Sequence, residues 1–490
     1  MLLPPWEMGL YLVLSVSFHL YSFYGVYLFS REHETEWYSD IALGDSLFWG
    51  LKKDPSDFEW SFWAGWARGP LLGLFFGHAI VSKVSLHFLG ALHPWCLMVY
   101  GMVACWILLG IQGLGFILLH IAISYTVAQL RIPMLSWGSS LLLLSTLQID
   151  AVQKQIRSWY KTENEYYLLC FTVAVRCLYY TSFSLEYCWH HPCQKRDHTL
   201  LWMLLYMFYY PMFHNGPIMN FDYFYKEMQQ KETSASKTDL TACILGVARL
   251  LWWWWLAELM IHLMHMHIIY NSDALLSKAS NWTLGGLALA QVLFFYVKYL
   301  VLYGIPAFVV RFDGLHSLPL PRCVSTMYSF TGMWRSFDVG LYQFLMRYIY
   351  IPMGGSKSGP GEKLLSTGIT FAFVAYWHGA HQHLLYWAAL NWMGINFEYN
   401  IKRLLYMPVI QNLVFHTLTP KMQRRIHATL AAVATSMLIL TNLVFLGGEN
   451  IGQIYWDRFF VRGWPWAPLI LWGCLYCYAQ IGIEWDRMSW

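Results

Sequence analysis

Between Pro321 and His378 the chain packs polar, aromatic and glycine residues into short mixed segments, where a simple helix bundle would alternate clean apolar spans with polar loops. The stretch holds Cys323, Phe330 to Gly340, Arg347 to Gly355, and closes on Tyr376-Trp377-His378-Gly379. An imidazole here has two readings. With an ordinary pKa of about 6.5 it is available as a neutral base at physiological pH. A lone histidine flanked by apolar residues is also, more commonly, a hydrogen-bonded packing residue. Asp338 is a second candidate, and its three-residue spacing from Arg335 makes an ion pair with Arg335 or Arg347 the competing account.

Other ionisable residues fall at membrane depth and carry weaker signals. His262, His265 and His267 share one apolar segment, with the first two on one helical face, but no third metal ligand stands nearby. Lys83, Lys298, Glu258 and Arg176 could pair with one another or reach an interface. Cys474-x-x-Cys477 lies in an apolar stretch, where packing is the expected role. Asn442 interrupts another such stretch and would by default make a packing hydrogen bond.

The elements that must position these groups are set by composition. Hydrophobic residues make up 57% of 490 positions and charged residues only 12%, far more apolar surface than a water-soluble fold can hide. Apolar stretches run from Trp6–Phe29, read as a retained helix, through Leu71–Leu89, Trp95–Leu130, Met134–Ile149, Tyr167–Tyr187 and Leu240–Ile269. They continue at Thr283–Val310, Leu364–Tyr376, Leu384–Ile395, Ala428–Leu446 and Ala467–Ile483. A crossing helix needs about 20 residues, so ten to twelve segments, some re-entrant, are expected. Continuous runs select helices over a barrel, and the fold class is an all-α polytopic membrane protein. One unit, 1–490, accommodates it, with no repeat or linker. A net charge of +4 without a dense basic tract excludes a nucleic-acid surface.

The region 321–380 resembles the signature of the membrane-bound O-acyltransferase family, in which an intramembrane histidine follows an aromatic residue and a second polar residue stands well before it. The resemblance extends over the whole chain, through Trp159 to Tyr167, His214-Asn215-Gly216-Pro217-Ile218 and Trp252 to Met260. It implies palmitate transfer from palmitoyl-CoA to the N-terminal cysteine of Hedgehog signalling proteins, as an amide, in the endoplasmic reticulum membrane, with the Golgi as a further address. It makes His378 the expected general base and Asp338 the expected second catalytic group. Trp334 would wall the acyl path, Arg335 and Arg347, with Lys357 and Lys363, would face the coenzyme A phosphates, and Asn442 would face the site. Cys323 resembles a position that carries haem iron, which makes haem b an expected cofactor. The competing functions are a related acyltransferase acting on a secreted-protein serine or a lysophospholipid, and a non-catalytic scaffold or transporter. Retention of His378 favours an enzyme.

Overall fold

The computed structural model describes residues 3–37, 41–42, 48–189, 199–231, 240–355 and 359–489. Among them the architecture is helical, with one isolated bridge between Ala42 and Lys53. The main elements are α1 (Pro5–Glu32), α2 (Arg68–Phe88), α3 (His93–Ala128), α4 (Pro133–Ser145), α5 (Glu163–Trp189), α6 (Leu240–Leu263) and α7 (Asn281–Phe312). They are followed by α8 (Phe330–Ser336), α9 (Val339–Leu345), α10 (Pro360–Trp377), α11 (Gln382–Leu405), α12 (Pro420–Gly447) and α13 (Trp466–Ser489). Among the described residues, eight helices are long and apolar enough to cross a membrane. Their outer faces carry exposed Leu10, Val13, Phe76, Ile107 and Ile111, as a lipid solvent permits.

Local chemistry adjusts several expected boundaries. The segment expected to run from Leu240 to Ile269 breaks after Leu263, where His265 leaves helical geometry, and a short helix resumes at Met266. The three histidines therefore do not share one helix face, and no cluster of three or more metal-binding side chains forms among the described residues. The stretch from Trp95 to Leu130 is one helix kinked at Gly110, whose φ of 69° only glycine adopts readily. The expected Met134–Ile149 span ends as a helix at Ser145 and tightens into a 3₁₀ turn.

The core divides into two clusters. One is built from α2 to α5, the segment 203–228 and parts of α9 to α11, and the other from α1, α6, α7 and the end of α12. Trp334 packs on the first cluster while Phe337 and Cys323 pack on the second. The region singled out by sequence is thus the seam between them.

Of the four charges that could pair with one another or reach an interface, none pairs with another of the four among the described residues. Lys298 sits between Asp57 and Glu59, at 2.9 Å from each, while Glu258 pairs with Lys53 at 3.0 Å. Lys83 donates to the Phe312 carbonyl at 2.8 Å. Arg176 donates to the carbonyls of Met207 and Met212 and lies over the Tyr179 ring at 3.6 Å.

Candidate active site

His378 is fixed by the way α10 ends. It is the C-cap residue, Gly379 follows with φ of 108°, and the amides of Gly379 and Ala380 donate to Tyr376 and Ala375 at 3.0 and 2.9 Å. This is the glycine-terminated helix stop in which a left-handed residue closes the last carbonyls. The ring is boxed by Trp377 at 4.7 Å, Phe445 of α12 at 5.5 Å and Trp387 of α11 at 6.3 Å. Neither ring nitrogen has a hydrogen-bond partner among the described residues, and neither is sealed off. His378 is exposed on this aromatic enclosure, and its unpartnered imidazole leaves both nitrogens available to a substrate.

Asp338 separates two seven-residue helices and caps the second. Its Oδ1 accepts from the Leu341 amide at 2.9 Å and its Oδ2 from the Tyr303 hydroxyl at 2.9 Å. Because the chain leaves helical geometry at Asp338, Arg335 and Asp338 do not share a helix, and the ion pair with Arg335 does not form. Arg347 is engaged elsewhere, with Glu186 through both guanidinium nitrogens that face it and with Asp222 at 3.6 Å. Both competing pairs for Asp338 are therefore absent.

A run of aromatic contacts links His378 to Phe337, the residue before Asp338, and no contact joins His378 and Asp338 themselves. Phe337 stacks on Phe295 of α7 at 5.5 Å, Phe295 meets Phe445 at 6.2 Å, and Phe445 meets His378. Trp334 closes another side against Trp387 at 5.6 Å and Phe371 at 4.9 Å, with its indole N–H donating to Asn391 at 3.1 Å. Behind Asp338 the fit is close: a Cβ on Gly340 would lie 2.4 Å from the Ile218 backbone, which seats the His214 to Ile218 loop directly against the cap.

Below the enclosure lies a mainly apolar cavity of about 450 Å³ between α1, α7, α12 and α13. Asn442 and Met333 line its wall, beside Phe445 and Trp334, and Val292 and Ile470 lie along it. The Asn442 amide donates to the Leu438 carbonyl at 2.9 Å, a packing bond on the cavity wall.

The proposed phosphate contacts separate. Arg335 is exposed and without a partner among the described residues, whereas Arg347 is held by carboxylates. Lys363 sits over the Tyr399 ring at 3.0 Å, and Lys357 lies outside the described residues. Cys323 is half-buried at the start of the turn Val324–Thr326, and both Cys323 and Arg249 lie beside Tyr296. Trp253 packs on Tyr296 at 6.4 Å, and its indole N–H is buried without a partner.

Sequence reasoning missed Tyr303, Phe295 and Phe445. The spacing of Phe295, Tyr299 and Tyr303 on one face of α7 was a readable signal, masked by how ordinary aromatic stripes are in apolar helices.

Residues 126–441 match the model for MBOAT, the membrane-bound O-acyltransferase family. The chain is 56% identical to the protein-cysteine N-palmitoyltransferase HHAT of Mus musculus over 99% of both chains. It is 27% identical to that species' HHAT-like protein, over 99% of this chain and 96% of the relative. It is 28% identical to the protein-cysteine N-palmitoyltransferase Rasp of Drosophila melanogaster, over 74% of this chain and 71% of the relative.

Proposed function

This chain belongs to the membrane-bound O-acyltransferase family, and on that premise we propose that it moves palmitate from palmitoyl-CoA to the N-terminal cysteine of Hedgehog proteins, forming an amide, in the endoplasmic reticulum membrane. The observation that carries the reading is the free imidazole of His378, open to the aromatic enclosure. The acceptor nitrogen attacks the thioester carbonyl, the C–N bond forms and the C–S bond breaks. His378 takes the proton leaving nitrogen and returns it to the departing coenzyme A sulfur, so atoms and charge balance. Asp338 binds the acceptor amine beside that histidine. Trp334 and Phe445 exclude water, which would otherwise hydrolyse the thioester.

The acyl chain lies in the cavity below Asn442 and Met333, where apolar walls replace water along its length. Arg335, exposed and unpaired, meets the coenzyme's phosphates. Arg347 contributes to the donor side by holding Glu186 and Asp222 in place. The catalytic unit is the single membrane domain, 1–490, with its centre in 321–380.

We propose a haem b site beside this machinery. Cys323 offers a half-buried thiol in apolar surroundings, Arg249 a cation for a propionate, and Trp253 an unused N–H. Haem bound there would supply a thiolate-ligated iron. The steps of acyl transfer themselves run through His378 and Asp338.

Purified protein in detergent, given labelled palmitoyl-CoA and a Hedgehog N-terminal peptide, tests the function. His378→Ala should lose about 10²-fold to 10⁴-fold in kcat at an unchanged melting profile. Full activity in that variant places the base elsewhere, and an inactive but folded unsubstituted protein removes the acceptor assignment.

A further inference from the structure

We infer that Tyr303 is a positioning residue for this reaction, fixing Asp338 as an oriented anion and thereby favouring an ammonium-bearing acceptor over a neutral hydroxyl one. The inference rests on the proposed amide-forming function and names what that site selects.

Helix α7 presents Phe295, Tyr299 and Tyr303 along one face at four-residue spacing. Phe295 builds the enclosure, and the two tyrosines divide their hydroxyls between two carboxylates. Tyr299 donates to Glu59 at 3.0 Å, while Tyr303, whose ring meets the Tyr299 ring at 5.0 Å, donates to Asp338 at 2.9 Å. With Leu341 occupying the other oxygen, each Asp338 oxygen receives one hydrogen bond, which fixes the rotation of the carboxylate and stabilises its charged form. The Tyr303 hydroxyl thereby ties α7 to the start of α9 at the centre of the site.

The groups facing Asp338 supply no resident counter-ion. Tyr303 approaches from α7, Tyr179 from α5, and the amides of Gly340 and Leu341 from α9, while Arg335 on α8 remains exposed. Lys298 is already shared by Asp57 and Glu59. Burial pushes the Asp338 carboxyl above the ordinary carboxylate range, the hydrogen bonds from Leu341 and Tyr303 oppose that shift, and a cationic ligand completes the charged form. The terminal amine of a protein arrives largely protonated. A hydroxyl acceptor brings no such charge. The bound ammonium gives one proton to solvent before attack, and His378, across the enclosure, takes the second as the C–N bond forms and passes it to the departing sulfur.

Steady-state kinetics of the full chain in detergent, with Tyr303→Phe and a Hedgehog N-terminal peptide, test this. The substitution removes one hydroxyl from the ring. Acceptor kcat/KM should fall about ten-fold at neutral pH, with the palmitoyl-CoA KM unchanged. The acidic limb of the acceptor profile should move to higher pH, because a carboxyl that loses a hydrogen bond to its charged form keeps its proton longer. Adding Tyr303→Phe to Asp338→Asn should cost nothing further, since the hydroxyl acts through the carboxylate. A loss equal at every pH, or an additive loss in the double variant, would overturn the inference. If Tyr303→Phe does not fold, competition on the unsubstituted protein decides: a peptide with hydroxyl in place of its terminal amine should inhibit about ten-fold more weakly, and equal inhibition overturns the proposal. An unsubstituted protein that acylates no N-terminal cysteine peptide would instead count against the proposed function itself.

Discussion

At the scale of single residues, a polar atom already spent on a packing bond is closed to chemistry, and one left unspent and open is available for it. Asn391, fully buried, both accepts from Trp334 and donates to the Trp387 carbonyl, so it is used up in holding the aromatic wall. His378, only a short distance along that wall, has both nitrogens unspent. Cys323, which lies with Arg249 beside Tyr296, on which the unpartnered Trp253 indole packs, is the position proposed for haem. If haem sits there, Cys323→Ala should abolish the visible haem absorption of the purified protein while leaving part of the acyl transfer. An unchanged spectrum would remove the thiolate assignment. The candidates themselves were legible in the sequence, since His378, Asp338 and Trp334 stand out by type against apolar surroundings. Their partners were not. Nothing in the linear order announces that Arg347 is held by Glu186 or that Asp338 meets Tyr303, because those contacts join segments far apart in the chain.

At the scale of elements, the centre depends on helices that stop early. Ser329 caps α8 and Asp338 caps α9, so a stretch that reads as confused apolar sequence is two short helices, each begun by a side-chain oxygen on a backbone amide. Gly379 ends α10 just past the histidine. Those breaks put reactive side chains at helix ends, where they face the seam between the two core clusters. The existence of helices was plain from the apolar runs, and their ends followed from caps that periodicity does not register. The long helices contribute the cavity instead. Val292 of α7 lines it, so Val292→Phe should fill part of the acyl path and shift the preferred donor from palmitoyl toward shorter acyl-CoAs by about ten-fold, with each CH₂ left unburied costing about 0.8 kcal/mol. Competition between acyl-CoAs of graded length measures it, and an unaltered preference would move the acyl chain to another route.

For the molecule as a whole, pairing between helix ends sorts the charges that the sequence left scattered. Arg425 near the start of α12 pairs with Glu7 at the start of α1 at 2.8 Å, and Arg424 pairs with Glu484 near the end of α13. The starts of α1 and α12 and the end of α13 therefore share one face. Arg322, paired with Asp486, and Arg487 lie with them. At the opposite face, Arg31 at the end of α1 reaches the His262 carbonyl at 3.1 Å, and Tyr270 reaches the Leu443 carbonyl near the end of α12 at 2.9 Å. Glu34 and Glu36 lie on that side, and His378 lies toward it, since Phe445 beside it is close to the end of α12. Basic residues lie at both ends once the helices are assembled, with Arg322, Arg424, Arg425 and Arg487 at the first and Arg31, Lys53, Lys278 and Arg458 at the second. If that first end faces the cytoplasm, Glu7 and Arg487 lie there and the histidine side opens to the lumen, where a secreted acceptor would arrive. Single cysteines introduced at Lys421 and at Lys278 in sealed microsomes should report this, the first labelled by an impermeant maleimide without detergent and the second only after permeabilisation. The reverse pattern would invert the protein in the membrane and deliver the acyl acceptor from the cytoplasm.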